Sequence, residues 1–318
     1  MKLAFVFPGQ GAQTVGMGLD FATRHQAAAE IFQTANDSLG YDLAGLIASG
    51  PIEELSRTEI TQPAILTASL AALAALQSEL PGLVPDGAAG LSLGEYAALV
   101  AADAITPAAA IPLVRLRGRY MQEAVPLGQG TMAAILGLEA EQVEEVCRQA
   151  SAVGVVEPAN YNCPGQLVIS GDIPAVEEAC RLALAAGARR AQLLAVSAPF
   201  HSRRLEPAGR NLAPALEGVT WQRPAFPVLS NVTAAPQWES HEIISNLVAQ
   251  VSSPVRWEQT IRRFIAEGVD HFVEIGPGRS LGAMTKKIDR SVWTGSVSDL
   301  ASLAETVAYL KETKEVSA

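Results

Sequence analysis

Short apolar runs alternate with longer helical stretches along the chain, and the two periods separate strands from helices. Leu3–Phe7 is an unbroken apolar run stopped by Pro8-Gly9, as expected of a strand buried on both faces. Thr61-Gln62-Pro63 predicts a helix start, with threonine at the N-cap and proline in the first turn, and the following Ala/Leu segment carries that helix to about Leu76. Thr106-Pro107 predicts a second such start and a helix to about Ala124, with a kink or a late effective start at Pro112. Near the end, Phe272–Ile275 followed by Gly276-Pro277-Gly278 reads as strand, tight turn, helix. This alternation is that of an α/β protein with a largely parallel sheet.

The stretch between Leu127 and Val196 has a different rhythm. Thr131–Leu136 reads as a strand and Glu139–Ala150 as a helix; Val153–Ala159 and Gln166–Ser170 read as strands joined by a turn at Pro164-Gly165. Pro174–Ala186 then reads as a helix and Arg190–Ala195 as a strand. The order β-α-β-β-α-β is that of a ferredoxin-like unit. The expected organisation is therefore a large α/β domain from residues 1–126 and 197–318, with a small ferredoxin-like domain (127–196) inserted and the active site between them. Lys314 to Ala318 are expected to fray.

Composition narrows the function classes. With 318 residues, 49% of them hydrophobic, the chain can bury a large core, yet no apolar run approaches the ~20 residues of a membrane helix. The apolar run after Lys2 is too short for a signal-peptide core, so a cytoplasmic protein is expected, without a membrane partner. Three cysteines and four scattered histidines show no metal-like interval, and no metal is expected. A net charge of −10 argues against nucleic acid as a partner, and an acidic protein partner would need basic residues gathered locally.

Gly90-Leu91-Ser92-Leu93-Gly94 fits G-x-S-x-G, with Gly87-Ala88-Ala89 as a short strand before it and Glu95–Ala102 as a helix after it. On a sharp strand-to-helix turn such a serine projects its oxygen outward, and the next backbone N–H can face an oxyanion. A helix-capping serine fits the same residues. Arg117 has Leu113, Val114, Tyr120 and Met121 as its helical neighbours and so lies on an apolar stripe, whereas Arg115 and Arg119 fall on the polar side. A core-facing guanidinium needs an anionic partner or an unusual hydrogen-bond set, and a structural salt bridge is one way to meet that need.

Gly90 to Gly94 with Glu95-Tyr96 resembles the nucleophile segment of malonyl-CoA:acyl-carrier-protein transacylases and of polyketide-synthase acyltransferase domains. Phe7-Pro8-Gly9-Gln10-Gly11-Ala12-Gln13, Thr61-Gln62-Pro63-Ala64, Arg117-Gly118, Asn160-Tyr161-Asn162 and Glu274 to Gly278 match in order, so the resemblance runs from about Leu3 to Leu281. It implies a large α/β-hydrolase-like domain carrying the inserted small one, and an enzyme that moves malonyl from malonyl-CoA to the phosphopantetheine thiol of an acyl carrier protein. The pathway would be fatty-acid or polyketide synthesis, with no bound cofactor and a monomeric protein. Ser92 would be the nucleophile and His201 its base, oriented by a backbone carbonyl at the position of Gln250. The Gln10 and Leu93 N–H groups would form the oxyanion hole, Arg117 would bind the malonyl carboxylate, and Gln62, Asn160 and Phe200 would support the pocket. A bulky ring at Phe200 fits malonyl over methylmalonyl, a discrimination limited to ~1–3 kcal/mol. Leu91 departs from the histidine usual there, which bears on pocket shape more than on chemistry. Carrier docking would use Arg189-Arg190, Arg203-Arg204 or Lys286-Lys287. A serine esterase or carrier-editing hydrolase, and an idle carrier-binding scaffold, are the competing readings.

Overall fold

The computed structural model describes residues 1–317, with side chains through Thr313. The expected fraying at Lys314 to Ala318 falls on side chains, and finally on Ala318 itself, that lie outside the described residues. Ten strands run in chain order as β1 (Leu3–Phe7), β2 (Gly87–Gly90), β3 (Gly130–Leu136), β4 (Val156–Cys163), β5 (Gln166–Asp172), β6 (Arg190–Leu193), β7 (Val228–Leu229), β8 (Pro236–Gln237), β9 (His271–Ile275) and β10 (Trp293–Val297). They form two sheets. The larger has the order β10-β9-β1-β2-β7-β8, parallel throughout except for β8, which returns antiparallel to β7. Strand β1 sits inside it with all five residues buried, as its unbroken apolar run requires.

The smaller sheet has the order β4-β5-β3-β6, and every neighbouring pair is antiparallel. Each βαβ pair, β3 with β4 and β5 with β6, is thus split by one strand of the other pair, which is the ferredoxin-like arrangement. Helices Ala140–Ala150 and Ile173–Ala185 cover it, packing Val143, Val146 and Val176 on Ile135 and Ile169. Several boundaries differ from those expected, with β4 shifted to Val156–Cys163 and β5 running on to Asp172. Strand β4 carries register shifts on either side of Asn160-Tyr161. Strand β6 ends at Leu193, beyond which residues 194–197 leave the sheet.

Among the described residues, one isolated β-bridge ties the small sheet to the backbone of the large part, between Asn160 and Val255. Val255, from the large part, donates its N–H to Ala159 O at 2.8 Å, and its carbonyl accepts from Tyr161 N–H at 2.9 Å. The first shift in β4 turns the strand toward this bridge, so that Asn160 faces the space between the sheets.

Two helices of the large part frame the site. The first spans Thr58–Glu79, one turn earlier than the Thr61 start expected. The reason is that the Arg57 carbonyl accepts from both Ile60 and Thr61 N–H, while the Thr61 hydroxyl donates to Leu55 O instead of capping. This helix is also long and apolar enough by length and composition alone to cross a membrane, but 89% of its apolar window is buried inside the protein. The second spans Pro107–Glu123 and starts where predicted, with Thr106 Oγ1 accepting from Ala109 N–H. It is helical from Pro107 onward, so Pro112 does not delay its start. Its buried face includes Leu113, Val114, Arg117 and Met121.

Candidate active site

Between β2 and the helix Gly94–Ala101 the chain turns so tightly that Ser92 adopts φ of 52°, a left-handed conformation disfavoured for any residue with a Cβ. The neighbouring glycines make room for this turn. A Cβ on Gly94 would lie 2.2 Å from Phe7 O, and one on Gly9 would lie 2.5 Å from Leu91 O. The loop after β1 is therefore pressed against the elbow. The elbow is also held by Asn231, whose Oδ1 accepts from Ser92 N–H at 2.6 Å and whose Nδ2 donates to Gly90 O at 2.7 Å. The helix has no side-chain cap, and Ser92 Oγ meets His201 and Arg117 instead of a helix N–H, so a serine capping its own helix is not what the structure shows. The Gln10 and Leu93 backbone N–H groups meet no acceptor among the described residues, and both residues line the same cavity as Ser92.

His201 also sits at positive φ, 60°, just after residues 194–197 return from the small sheet. Its Nε2 lies 2.7 Å from Ser92 Oγ, and its Nδ1 lies 2.9 Å from the Gln250 carbonyl oxygen. A carbonyl only accepts, so Nδ1 carries the proton and Nε2 is left to accept from the serine hydroxyl. Burial first, and the nearby Arg117 guanidinium second, push the His201 pKa down to about 4, so the ring is neutral at physiological pH.

Arg117 is 1% exposed, yet it meets no carboxylate within ion-pair distance among the described residues. Its partners are neutral: Nη1 donates to Gln62 Oε1 at 2.8 Å, and Nη2 donates to Gln250 Oε1 at 2.9 Å and to Ser92 Oγ at 3.0 Å. Its Nε is buried with no partner. The salt-bridge explanation of this arginine is thereby removed, and with it the arrangement that would have favoured an esterase. What remains is a buried cation with a spare donor, touching the serine oxygen.

These groups line a cavity of about 680 Å³ between the two sheets. Gln62, Phe200 and Asn160 line it, and Gln250 stands just behind, with its side chain bonded to the Ser92 carbonyl and to Arg117. Leu91 lines it too, while the elbow bonds at that position run through its backbone, from Gly94 N–H to Leu91 O and from Leu91 N–H to Phe7 O. A leucine there changes the cavity wall and leaves the turn intact. Three residues given no role from the sequence also belong to the site. Asn162 lines the cavity with a buried Oδ1 lacking a partner. Asn231 and Glu95 lie under the elbow, and Asn231 is 139 residues from the serine it holds.

An acyl transferase domain model matches residues 4–314. The chain belongs to the acyl transferase domain family. Over 309 residues it is 46% identical to the malonyl CoA-acyl carrier protein transacylase of Haemophilus influenzae, covering 97% of this chain and 99% of that protein. It is 45% identical to the enzyme of the same description from Bacillus subtilis over 312 residues, 98% of each. Among solved structures, an acyl-carrier-protein S-malonyltransferase from Burkholderia pseudomallei is 48% identical, with a TM-score of 0.94 over 97% of this chain and 100% of that one. A malonyl-transacylase in complex with its type II polyketide-synthase acyl-carrier protein is 44% identical, also with a TM-score of 0.94, over the same shares. These two solved structures thus share this chain's fold over 97% of its length.

Of the three basic pairs, Arg203 and Arg204 are tied to the small sheet, to Glu157 on β4 at 2.6 Å and to Asp172 on β5 through two bonds of 2.6–2.7 Å. Lys286 donates to the Val292 carbonyl and Lys287 to Gln166 Oε1. Arg189 and Arg190 are exposed, with no side-chain partner among the described residues.

Proposed function

We propose that the protein transfers a malonyl group from malonyl-CoA to the phosphopantetheine thiol of an acyl carrier protein, through an ester on Ser92. One observation carries the reading: Ser92 Oγ lies within hydrogen-bond reach of both a neutral imidazole and a buried guanidinium that makes no ion-pair contact with a carboxylate among the described residues. His201 Nε2 takes the hydroxyl proton as Ser92 Oγ attacks the thioester carbonyl carbon. The oxygen that becomes anionic faces the Gln10 and Leu93 N–H groups. The C–S bond then breaks, and His201 returns its proton to the departing CoA sulfur. In the second half-reaction His201 takes the proton of the carrier thiol. The sulfur attacks the malonyl ester, and the proton goes back to Ser92 Oγ. Two products leave in turn, so the kinetics are ping-pong, and no cofactor takes part.

Arg117 sets the acyl class. Its contact with Ser92 Oγ supports a role in receiving the free carboxylate of a three-carbon diacid whose other end is esterified to the serine, and its planar fork suits that group. Phe200 closes the wall beside His201 against an α-methyl. Residues 127–196 serve as a separate small domain that forms one wall of the cavity. Arg189-Arg190, just before and at the start of edge strand β6, is the candidate for meeting an acidic carrier, since the other two basic pairs are engaged internally. The enzyme works in the cytoplasm, in fatty-acid or polyketide synthesis.

The test is intact-protein mass spectrometry after brief incubation with malonyl-CoA, followed by holo-carrier. A malonyl-sized adduct that is absent in Ser92→Ala and passes to the carrier is expected. An adduct that water releases as fast as the carrier does would mean a hydrolase, and no adduct with any acyl-CoA would mean a scaffold.

A further inference from the structure

Beneath the nucleophile lies a charged group that the transfer mechanism above does not use. Glu95 is fully buried at the start of the helix Gly94–Ala101. Its Oε1 accepts from Gln237 Nε2 at 2.7 Å, and its Oε2 accepts from Gln250 Nε2 at 2.7 Å and from Asn231 N–H at 3.0 Å. Every group facing the two oxygens is a donor, which suits an ionised carboxylate, because a protonated one would point its O–H at a donor. Burial pushes the Glu95 pKa up; the three donors and the field of Arg117 oppose that shift.

The arrangement decides how Gln250 is turned. The two hydrogens of its Nε2 go to Glu95 Oε2 and to the Ser92 carbonyl at 3.0 Å, which leaves Oε1 on the opposite side to accept from Arg117 Nη2. Were the amide reversed, an NH2 group would confront the guanidinium. We propose that Glu95 is a positioning residue for acyl selection: it holds the Gln250 amide with its oxygen toward Arg117 and supplies the buried negative charge that offsets the guanidinium until the substrate carboxylate arrives. The proposal rests on the malonyl-transfer reading and adds a residue that touches neither substrate nor reacting atoms.

The experiment compares two rates on the same enzyme by intact mass: ester formation from malonyl-CoA, and labelling of Ser92 by a neutral fluorophosphonate. Labelling needs the Ser92–His201 pair but no carboxylate binding. In Glu95→Gln one acceptor becomes a donor, so at least one of the three incoming N–H groups is left without a partner. Malonylation is expected to fall about 10- to 100-fold relative to labelling, the size of losing a hydrogen bond to a charged group. Glu95→Gln combined with Gln237→Glu moves the carboxylate one residue outward. The new amide oxygen can accept from Gln250 and Asn231 while its NH2 donates to the carboxylate introduced at position 237. This double variant is expected to regain the wild-type ratio to within about threefold. A purely structural role would lower both rates by one factor in Glu95→Gln, and that result overturns the proposal, as does an unchanged ratio. If Glu95→Gln does not fold, the double variant carries the test, and a folded double variant with a tenfold lower ratio overturns it. Wild-type enzyme that is labelled but takes no malonyl would end the transfer reading itself, independently of either variant.

Discussion

Replacing Arg117 by methionine separates acyl recognition from acyl chemistry. The side chain is unbranched and similar in length, so it fills most of the vacated volume on the buried face of the helix Pro107–Glu123. What is lost is the donor set. A malonyl carboxylate held by a planar guanidinium receives two charge-assisted hydrogen bonds, each worth roughly 1.5–3 kcal/mol. The expected loss is about 3–6 kcal/mol of transition-state stabilisation, or roughly 100- to 10,000-fold in malonylation rate. Acetyl-CoA offers no carboxylate, so its rate should change only through the lost contact between Nη2 and Ser92 Oγ, by about tenfold or less. The assay is single-turnover ester formation with each donor, read by intact mass, in wild type, Arg117→Met and Arg117→Lys. Lysine keeps the charge but not the fork, and should fall between the other two. Equal losses for malonyl and acetyl donors in Arg117→Met would refute the reasoning, because they would place the arginine in the chemistry and not in the selection.

Four further outcomes follow from the same geometry. Because His201 is held at about 4, kcat/KM for malonyl-CoA should stay level from pH 7 to about pH 5 and decline only as the pH nears 4; an acid limb near 6.5 would contradict the burial argument. Unfolded His201 binds its proton at about 6.5, so the stability contributed by the neutral ring is complete above that pH and is lost as the pH falls toward 4, a dependence that urea unfolding of His201→Gln should lack. Asn231→Ala strands Ser92 N–H and Gly90 O, at about 1–3 kcal/mol each, and should lower the urea midpoint and slow esterification from every donor alike; donor-selective slowing would not fit. Arg189→Glu with Arg190→Glu should raise the KM for carrier protein about tenfold and leave that for malonyl-CoA unchanged, whereas equal effects on both would remove this pair from docking.

Much of the frame was legible because it rests on local chemistry. The apolar run at β1, the threonine–proline start before the helix Pro107–Glu123, and the β-α-β-β-α-β order each express short-range constraints. Arg117 was legible as well, since one charged residue among Leu113, Val114 and Met121 is visible from spacing alone. The helix start at Thr58 was missed because the Arg57 carbonyl accepts from two N–H groups there, which propensity does not encode. The network beneath the nucleophile was invisible for a different reason. Asn231, Gln237 and Gln250 converge on Glu95 from 136, 142 and 155 residues away, and no pattern near any of them marks it as a partner.

His201, the proposed base, is oriented by the Gln250 carbonyl and not by an acid, and on that reading substrate charge is connected to base strength. A carboxylate on Nδ1 would raise the His201 pKa, but it would add a second anion to a site that must receive a substrate carboxylate and already holds Glu95 nearby. A carbonyl fixes the ring without charge, at the cost of a weak base. Part of that weakness comes from Arg117, whose field opposes protonation of His201. The same guanidinium donates to Ser92 Oγ and favours the alkoxide, so nucleophile and base are lowered together. When an acyl carboxylate pairs with Arg117, its field at His201 is partly cancelled and the ring becomes more basic. The base is then stronger with an acidic acyl group in place, both for the serine in the first half-reaction and for the carrier thiol in the second. Since kcat/KM reports the free enzyme and kcat the loaded one, the acid limb of kcat should lie above that of kcat/KM with malonyl-CoA, and the two should coincide with acetyl-CoA. In Arg117→Met the kcat/KM limb itself should move up. Coincident limbs with malonyl-CoA, or a limb that stays near 4 without the arginine, would show that burial alone sets the base and that substrate charge does not reach it.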